Sequence, residues 1–259
     1  MRLHGKVALV TGAADARSIG WGIARALADE GADVVVNDVA RADELDKRAN
    51  ELRAKGRRAI PVIADVTKPD QVNAMIAQTV EALGRLDIVA SNAGIIRWER
   101  FLDITPPVLR AIVNVNIKGN VYVCQAAARQ MIAQGQGGRI IITSSVQADV
   151  QFPLAPVYGA TKHAMHTFVG CLALELAPHN ITVNHIGPGW VRSSLNDPAP
   201  GQQTPEEIEQ LRQSIPLKRD GLPEEMGRAV VYFASPDGDY VTGAFLRVDG
   251  GLGIGKYSY

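Results

Sequence analysis

The chain has 259 residues, of which 46% are hydrophobic, and its 27 basic and 27 acidic side chains give a formal net charge of zero. This length can bury one substantial core, so we expect a single domain over residues 1–259. Zero net charge provides no sustained attraction to nucleic-acid phosphates or anionic lipids, which argues against both partners and favours a small molecule. No apolar run is long enough for a membrane span or a signal peptide, and we expect a cytoplasmic protein.

Seven short apolar segments alternate with longer amphipathic stretches. Their β-branched and nearly continuous apolar character is typical of strands buried on both faces, and the stretches between them suit crossover helices. The predicted strands are residues 7–10, 33–37, 59–63, 86–90, 139–143, 181–185 and 244–248. Thr105 and Thr204, each followed by proline, predict two helix starts. The pattern indicates an α/β fold with a doubly wound, parallel, seven-stranded sheet of the Rossmann type.

One long irregular segment lies late in the chain. Residues 192–203 are rich in proline, glycine and polar side chains. Because a strand signal resumes at Ala244, we interpret residues 192–216 as a substrate lid inside the single domain rather than as a domain boundary.

The cysteines and histidines do not show the spacing of a metal site. Cys124 and Cys171 lie far apart without a CxxC pattern, and we expect both to be buried thiols. His163 and His166 are close in sequence but have no third ligand at a suitable spacing, so helix packing is the better interpretation. No metal is predicted.

A glycine-rich turn over residues 11–22 follows the first predicted strand and leads into a helical stretch. Glycines at such a turn, here Gly12 and Gly20, let the backbone approach a pyrophosphate, and the first-turn amides of the helix supply donors. The second strand ends near Asp38, where a carboxylate can accept hydrogen bonds from the adenosine ribose hydroxyls. Together these features predict a dinucleotide cofactor.

The charges at this site favour NAD over NADP. Asp38 would repel a 2′-phosphate, and the following residue, Val39, offers no cation to neutralise it. Arg17 in the glycine-rich turn could instead reach a 2′-phosphate. NAD is therefore the predicted cofactor, and NADP stays open as the alternative.

Tyr158 and Lys162 are four positions apart, which places them on one face of a helix if the segment is helical. A nearby ammonium stabilises a phenolate and lowers the pKa of the phenol from about 10. Ser145 follows the predicted strand 139–143, at the edge where doubly wound sheets bind ligands. The sequence therefore predicts a phenol that is made more acidic beside the ligand site.

Several motifs, in order along the chain, resemble the short-chain dehydrogenase/reductase family. They are the glycine turn from Thr11, Asp65-Val66, Asn92-Ala93-Gly94, Asn116-Ile117-Lys118-Gly119, Ser145, Tyr158 with Lys162, Pro188-Gly189 and Asp249-Gly250-Gly251. The resemblance covers nearly the whole chain. It implies that Tyr158 is the catalytic acid/base and that Lys162 lowers its pKa and holds the nicotinamide ribose. It also implies that Ser145 orients the reacting oxygen and that Asn116 anchors a proton-relaying water.

The same resemblance implies a cofactor site and a homotetramer. Asp65 and Val66 would border the adenine, and Val191 would meet the nicotinamide carboxamide. The long helices around Asn116 and Tyr158 would pack against symmetry mates. The implied cofactor-binding residues are Gly12, Arg17, Ser18, Ile19, Gly20, Asp38, Asp65, Val66, Asn92, Ala93, Gly94, Tyr158, Lys162, Pro188, Gly189 and Val191.

The glycine-rich turn departs from the usual family pattern. Ser18 stands where the second glycine is usual, and the turn is longer. This form resembles the enoyl-reductase branch, but at the position where that branch has its lysine this chain has Met165. We therefore expect carbonyl/alcohol chemistry, with Arg17 and Ser18 covering the pyrophosphate.

The residues expected to contact the substrate are polar for a steroid or acyl-chain pocket. They are Ser145, Tyr158, Gln147, Trp98 and Trp190. The segments around them resemble the glucose 1-dehydrogenase branch, which implies oxidation of an aldose at C1 to its lactone. Arg97 and Arg192 could engage an acidic or sulfonated sugar, although solvated surface arginines are the simpler interpretation.

Two other functions stay open at this point. An NADPH-dependent 3-oxoacyl-type carbonyl reductase would share the catalytic residues and differ in cofactor phosphate and pocket. A non-catalytic dinucleotide-binding regulator would keep the fold without turnover.

Overall fold

The computed structural model describes residues 1–196 and 204–254. Parallel strands form one sheet from β1 (Val7–Thr11), β2 (Asp33–Asp38), β3 (Ala59–Ile63), β4 (Ile88–Ser91), β5 (Gly138–Thr143), β6 (Ile181–Pro188) and β7 (Phe245–Val248). The strand order is β3-β2-β1-β4-β5-β6-β7, and every neighbouring pair is parallel. The predicted doubly wound, seven-stranded sheet is therefore confirmed.

Helices cover both faces of this sheet. The α-helices are α1 (Ile19–Asp29), α2 (Ala42–Ala54), α3 (Pro69–Leu83), α4 (Pro106–Val113), α5 (Asn120–Gln134), α6 (Pro156–Leu176), α7 (Pro205–Ser214) and α8 (Pro223–Ala234). One hydrophobic core joins α1, α2 and α8 to the sheet, and a second joins α3, α5 and α6 to the opposite face. Across residues 1–196 and 204–254, no helix is both long and apolar enough to cross a membrane.

The continuous apolar strands are buried on both sides, as their sequences predict. Leu9 and Val35 belong to the core under α3, α5 and α6, whereas Val10 and Val36 belong to the core under α1, α2 and α8. All four side chains are fully buried. Burial of such a side chain contributes about 1.5–3 kcal/mol to folding. The two cores therefore stabilise the parallel sheet by burying both of its faces.

The two halves of the sheet meet between β1 and β4. β1 pairs with β2 on one side and with β4 on the other. Strands β2 and β3 therefore extend the sheet in one direction from β1, and strands β4 to β7 extend it in the opposite direction. Thr11 joins the two strand ends, because its Oγ1 accepts hydrogen bonds from the N–H groups of Asn92 at 2.9 Å and Ala93 at 3.0 Å. A crevice at this switch point is where doubly wound folds bind their ligands.

The predicted strands and helix starts are confirmed, with small differences at their ends. β4 begins at Ile88 rather than at residue 86, and β6 continues to Pro188 rather than ending at residue 185. Thr204 begins α7 through a capping box, in which its Oγ1 accepts a hydrogen bond from Glu207 N at 3.2 Å. Thr105 begins α4 without a side-chain cap hydrogen bond.

The prediction of two buried thiols is wrong for one cysteine. Cys124 is buried in α5, and burial raises its pKa to about 12. Cys171 is exposed on α6. Helix α6 buries a stripe at helical spacing that includes Met165, Val169 and Ala173, and Cys171 falls outside this stripe.

His185 of β6 is a buried titratable group, and its ring centroid lies 4.6 Å from that of Phe245 and 4.9 Å from that of His166. Burial lowers the pKa of His185 from 6.5 to about 4. Between these pH values the unfolded chain binds a proton at His185 that the folded chain does not bind. Stability is therefore lost as the pH falls through this window, by up to about 3 kcal/mol.

We expect His185→Gln to flatten the dependence of the unfolding free energy on pH between 6.5 and about 4. Urea unfolding at several pH values measures this slope. The exposed His179 provides the matched control substitution, His179→Gln. A parent-like slope for His185→Gln would contradict the assignment.

Candidate active site

A cavity of about 980 Å³ opens at the carboxyl ends of the strands around the switch point. Most of the residues predicted to bind cofactor or substrate line it. These are Gly12, Ser18, Ile19, Asp38, Asp65, Val66, Asn92, Ala93, Gly94, Trp98, Ser145, Gln147, Tyr158, Lys162, Pro188, Gly189 and Trp190. Four predicted residues do not line it, namely Arg17, Gly20, Asn116 and Val191.

The glycine-rich turn forms one wall of this cavity. Gly12 has a φ of +70°, and a Cβ atom there would lie 3.1 Å from Ala93 Cα, so a side chain would be strained and crowded. Ser18 caps α1, because its Oγ accepts a hydrogen bond from Trp21 N at 3.0 Å. Ser18, which stands where the second glycine is usual, therefore stabilises the start of α1.

Asp38 stands at the end of β2 with both carboxylate oxygens held by main-chain donors. Oδ2 accepts a hydrogen bond from Ala14 N at 3.2 Å, and Oδ1 accepts one from Val39 N at 2.8 Å. Each carboxylate oxygen has further lone pairs for ribose hydroxyls. The side chain is thus fixed at the cavity wall.

Arg41 is a cation that the sequence interpretation missed. It lies at the start of α2, lines the cavity and pairs with Asp15 Oδ2 at 3.3 Å. The sequence prediction weighed Val39 and Arg17 as neighbours of a 2′-phosphate, but not Arg41. Looking a few positions further, to the turn between β2 and α2, would have found the basic side chain.

Tyr158, Lys162 and Ser145 meet at the cavity. Tyr158 and Lys162 lie on the buried face of α6, with Lys162 Nζ 5.4 Å from the centre of the Tyr158 ring. Lys162 Nζ donates a hydrogen bond to the carbonyl oxygen of Thr143, the last residue of β5, at 2.9 Å. Ser145 follows β5, and its hydroxyl lies beside Tyr158 at the cavity, where it lowers the pKa of the phenol. The predicted helical spacing is therefore confirmed.

Burial controls the protonation of this cluster. It raises the pKa of Tyr158 to about 12, against the lowering effect of the Ser145 hydroxyl, and it lowers the pKa of Lys162 to about 8. The sequence predicts a lower phenol pKa, from the ammonium charge of Lys162 joined by the positive nicotinamide ring. In the structure desolvation of the phenol is the larger effect and raises its pKa.

Asn116 is fully buried in a π-helix over Asn114–Gly119 and does not line the cavity. Its Oδ1 accepts a hydrogen bond from Ile95 N at 2.9 Å, and its Nδ2 donates to Ile95 O at 2.9 Å. Asn116 therefore holds the segment that follows β4. The π-helix has no signal in the hydrophobic pattern, and the sequence interpretation did not include it.

The substrate side of the cavity is more apolar than the sequence interpretation expected. Ile96 packs with Tyr158 and Ala155, and Trp98 packs against this group. Other apolar lining residues are Ile95, Phe152, Pro153, Leu154, Leu195, Leu211 and Leu252. Leu252 near the carboxyl terminus comes from a distant segment, which is why the sequence interpretation missed it, whereas Leu211 of α7 falls within the predicted lid over residues 192–216.

The two arginines considered for an acidic substrate do not line the cavity. Arg192 is an exposed side chain that pairs with Asp220 at 3.3 Å, and Arg97 donates a hydrogen bond to Ile96 O at 2.8 Å. Among the described lining residues, only Arg41 and Lys162 are basic. The interpretation of Arg97 and Arg192 as solvated surface side chains therefore agrees with the structure.

The two neighbouring histidines of α6 contact the turn that follows Ser145. His163 Nδ1 lies 2.6 Å from Ala148 O, and His166 Nε2 lies 3.0 Å from Asp149 Oδ1. These contacts agree with helix packing.

The predicted lid over residues 192–216 begins at the cavity, which Ser193 and Ser194 line. Its residues 197–203 lie outside the described ranges.

The cavity fits a dinucleotide on two kinds of observation. At Gly12 the backbone has a φ of +70° and a Cβ atom would lie 3.1 Å from Ala93 Cα, so a side chain would be strained and crowded there. Two polar atoms on cavity-lining residues, Ser193 Oγ and Asn37 Oδ1, are buried without a hydrogen-bond partner among the described residues. Such orphaned atoms are suited to a polar ligand. Ser193 falls within the predicted lid over residues 192–216.

The chain is similar to known oxidoreductases over nearly its whole length. A family profile described as enoyl-(acyl carrier protein) reductase matches residues 12–253. Versicolorin reductase stcU from Emericella nidulans is 39% identical over 259 residues, which is 96% of each chain. L-rhamnose 1-dehydrogenase (NAD(P)(+)) from Sphingomonas sp. (strain SKA58) is 37% identical over 250 residues, 96% of this chain and 97% of that one. A crystal structure of a short-chain type dehydrogenase/reductase from Mycobacterium marinum has a TM-score of 0.90 at 38% identity and covers 96% of both chains.

Proposed function

We propose that this chain, which belongs to the short-chain dehydrogenase/reductase family, oxidises an aldose at C1 to its lactone with NAD. Enzymes of this family act on CH–OH groups. One observation carries the proposal. The Tyr158 phenol, the Ser145 hydroxyl and the Lys162 ammonium meet at one wall of a cavity large enough for both reactants. This grouping of a proton donor, a hydrogen-bonding hydroxyl and a cation suits proton exchange with an alcohol or carbonyl oxygen.

In the proposed mechanism Tyr158 Oη takes the hydroxyl proton during oxidation and returns it during reduction. Ser145 Oγ, which lines the cavity together with the phenol, holds the substrate oxygen beside it. The charge of Lys162 stabilises the phenolate. The bound nicotinamide supplies the hydride acceptor. Burial keeps the phenol protonated at neutral pH, so oxidation should become faster as the pH rises.

Other residues hold the reactants in this proposal. The glycine-rich turn, Asp38, Ser193 and Asn37 would hold the dinucleotide, with Asp65 and Val66 beside the adenine. The π-helix around Asn116 would anchor a proton-relaying water. Arg17, Gly20 and Val191 do not line the cavity, so their contribution would be to shape the surrounding backbone.

An aldose is the first candidate substrate. Trp98 and Trp190 offer aromatic faces on which the apolar face of a sugar ring can stack, and Gln147 offers a donor and an acceptor. The similarity to an L-rhamnose 1-dehydrogenase supports a sugar. We propose no acidic or sulfonated sugar, because Arg97 and Arg192 stand away from the cavity.

A carbonyl reductase is the second candidate. The apolar walls around Phe152, Leu154 and Leu211 favour a less polar ketone, and the chain is similar to a protein named versicolorin reductase. A 3-oxoacyl-type reductase using NADPH belongs to this class. A non-catalytic regulator is not carried forward, because the relatives are named dehydrogenases and reductases.

NAD is our proposed cofactor, and NADP is the alternative. Asp38, held at the cavity wall by two main-chain donors, would repel a 2′-phosphate. Arg41 lines the same cavity and would attract one, although Asp15 already neutralises it. The carboxylate next to the ribose position supports NAD.

A substrate and cofactor panel tests both parts of the proposal. L-rhamnose, D-glucose, D-galacturonate, cyclohexanol and a 3-oxoacyl thioester would be assayed by nicotinamide absorbance, each with NAD(H) and NADP(H). We expect the highest kcat/KM for a neutral aldose with NAD. Turnover confined to NADPH and the thioester would overturn the sugar proposal and support the carbonyl reductase.

We also propose a cytoplasmic homotetramer with a lid over residues 192–216. The family resemblance supports the tetramer. The described parts of the lid, including α7, contribute Ser193, Ser194, Leu195 and Leu211 to the cavity wall. Light scattering measures the oligomeric state directly.

A further inference from the structure

A chain of buried polar side chains connects β4 to the main chain of Tyr158. Ser91 Oγ donates to Asn120 Oδ1 at 2.8 Å, and Asn120 Nδ2 donates to the carbonyl oxygen of Asn116 at 2.7 Å. Asn116 Nδ2 donates to Thr161 Oγ1 at 3.2 Å, and Thr161 Oγ1 donates to the carbonyl oxygen of Tyr158 at 2.7 Å. Each hydrogen bond points in the same direction along the chain.

The members of this chain are almost completely removed from water. Ser91, Asn116, Asn120 and Thr161 have exposed fractions of 3%, 0%, 2% and 2%. Buried polar groups are expensive to leave unpaired, and hydrogen bonds that polarise one another in the interior are stronger than isolated ones. The chain is therefore a rigid connection rather than a set of exchangeable surface contacts.

Thr161 is the member of this hydrogen-bonded chain that contacts Tyr158. It lies on α6, directly before Lys162 and three positions after Tyr158, and its hydroxyl contacts Asn116 of the π-helix. Its hydroxyl is both an acceptor, from Asn116, and a donor, to Tyr158. Asn116 in turn holds both main-chain polar groups of Ile95, which lines the cavity.

We propose that Thr161 is a positioning residue of the reaction, which holds α6 against the π-helix so that Tyr158 and Lys162 face the wall formed by the segment after β4. The inference rests on the proposed use of Tyr158 as the proton-exchanging group. Thr161 itself does not line the cavity, so it acts through its neighbours. A small displacement of reacting groups is enough to slow a reaction strongly, since a shift of about 1 Å can cost about a hundredfold.

The test uses an isosteric pair of substitutions. Thr161→Val keeps the shape and removes the hydroxyl, whereas Thr161→Ser keeps the hydroxyl. We expect Thr161→Val to lower kcat at least about tenfold, with KM for NAD changed less than about twofold, and Thr161→Ser to restore most of kcat. The assay alcohol is L-rhamnose or D-glucose, whichever the parent oxidises faster.

Thr79 supplies a matched control. It is fully buried in α3, where its Oγ1 donates to Met75 O at 2.8 Å, and it does not line the cavity. Thr79→Val removes the same kind of helical hydrogen bond and should lower stability without changing kcat. Equal kcat for Thr161→Val and the parent, or an equal kcat loss in Thr79→Val, would overturn the proposal.

Hydrogen exchange gives a readout that does not depend on the substrate. We expect faster amide exchange in peptides covering residues 114–120 in Thr161→Val but not in Thr161→Ser or Thr79→Val. Unchanged exchange in Thr161→Val would show that Thr161 does not hold the π-helix. A parent inactive on both sugars would instead count against the proposed substrate. If Thr161→Val does not fold, Ser91→Ala breaks the opposite end of the same chain and is judged by the same exchange and kcat criteria.

Discussion

Tyr158→Phe is expected to lower kcat by at least about thirtyfold, or about 2 kcal/mol of transition-state stabilisation, while dinucleotide affinity stays as in the parent. The substitution removes only the phenol oxygen, and that oxygen is the group that meets Ser145 at the cavity. The ring that packs with Ile96 and Ala155 remains. Steady-state kinetics with the best panel alcohol and titration with NADH measure the two quantities.

The exposed Tyr240 is the matched control for this substitution. Its side chain is fully exposed, so Tyr240→Phe should leave both kcat and affinity unchanged. The pH profile adds a second check. Because burial raises the pKa of Tyr158 to about 12, the parent's rate of oxidation should increase with pH above neutrality, and the residual rate of Tyr158→Phe should not follow the same curve. Equal rates for variant and parent would remove Tyr158 from the mechanism.

Gly20→Ala is expected to lower the free energy of unfolding by about 2–3 kcal/mol and to weaken dinucleotide binding at least about tenfold. A Cβ atom on Gly20 would collide with the carbonyl oxygen of Gly12 and lie 2.7 Å from Asn92 Nδ2. The first of these contacts is with backbone, which cannot move aside as the end of a flexible side chain can. Relief of the clash must displace the glycine-rich turn that forms the cavity wall.

Gly170→Ala is the matched control, and its expected effect has the opposite sign. Gly170 lies within α6, and a Cβ atom there meets nothing within 4 Å. Alanine in a helix interior is favoured over glycine by about 0.5–1 kcal/mol, so this variant should be slightly more stable than the parent. Urea unfolding and NADH titration compare the two variants. A Gly20→Ala protein as stable as Gly170→Ala would contradict the close approach of α1 to the turn.

Features set by local periodicity were accessible from the sequence. The seven strands follow from short apolar runs, because a parallel sheet buries both faces of each strand. The four-residue spacing of Tyr158 and Lys162 places both on the buried face of α6, because that spacing is close to one helical turn. Asp38 was located in the same way, from the end of an apolar run.

The apolar character of the substrate side was not accessible, because it depends on segments far apart in the chain. Leu211 and Leu252 join Phe152 at the cavity, which makes the substrate side apolar where the neighbours of Ser145 alone look polar. Arg41 was missed for a related reason. Its direction is determined by the turn between β2 and α2 and by the pairing with Asp15, not by its distance from Asp38 in the sequence.

The sequence by itself determined the doubly wound sheet, the glycine-rich turn at its switch point and the helical pairing of Tyr158 with Lys162. Each follows from a short local pattern: continuous apolar runs, glycines between a strand and a helix, and a spacing of four residues on one helix. Only the tertiary structure decided the protonation of Tyr158, the exposure of Cys171 and the hydrogen-bonded chain through Thr161. These depend on how much water reaches a group and on which distant atoms surround it. Desolvation and through-space contact are properties of the packed molecule, and no local spacing encodes them.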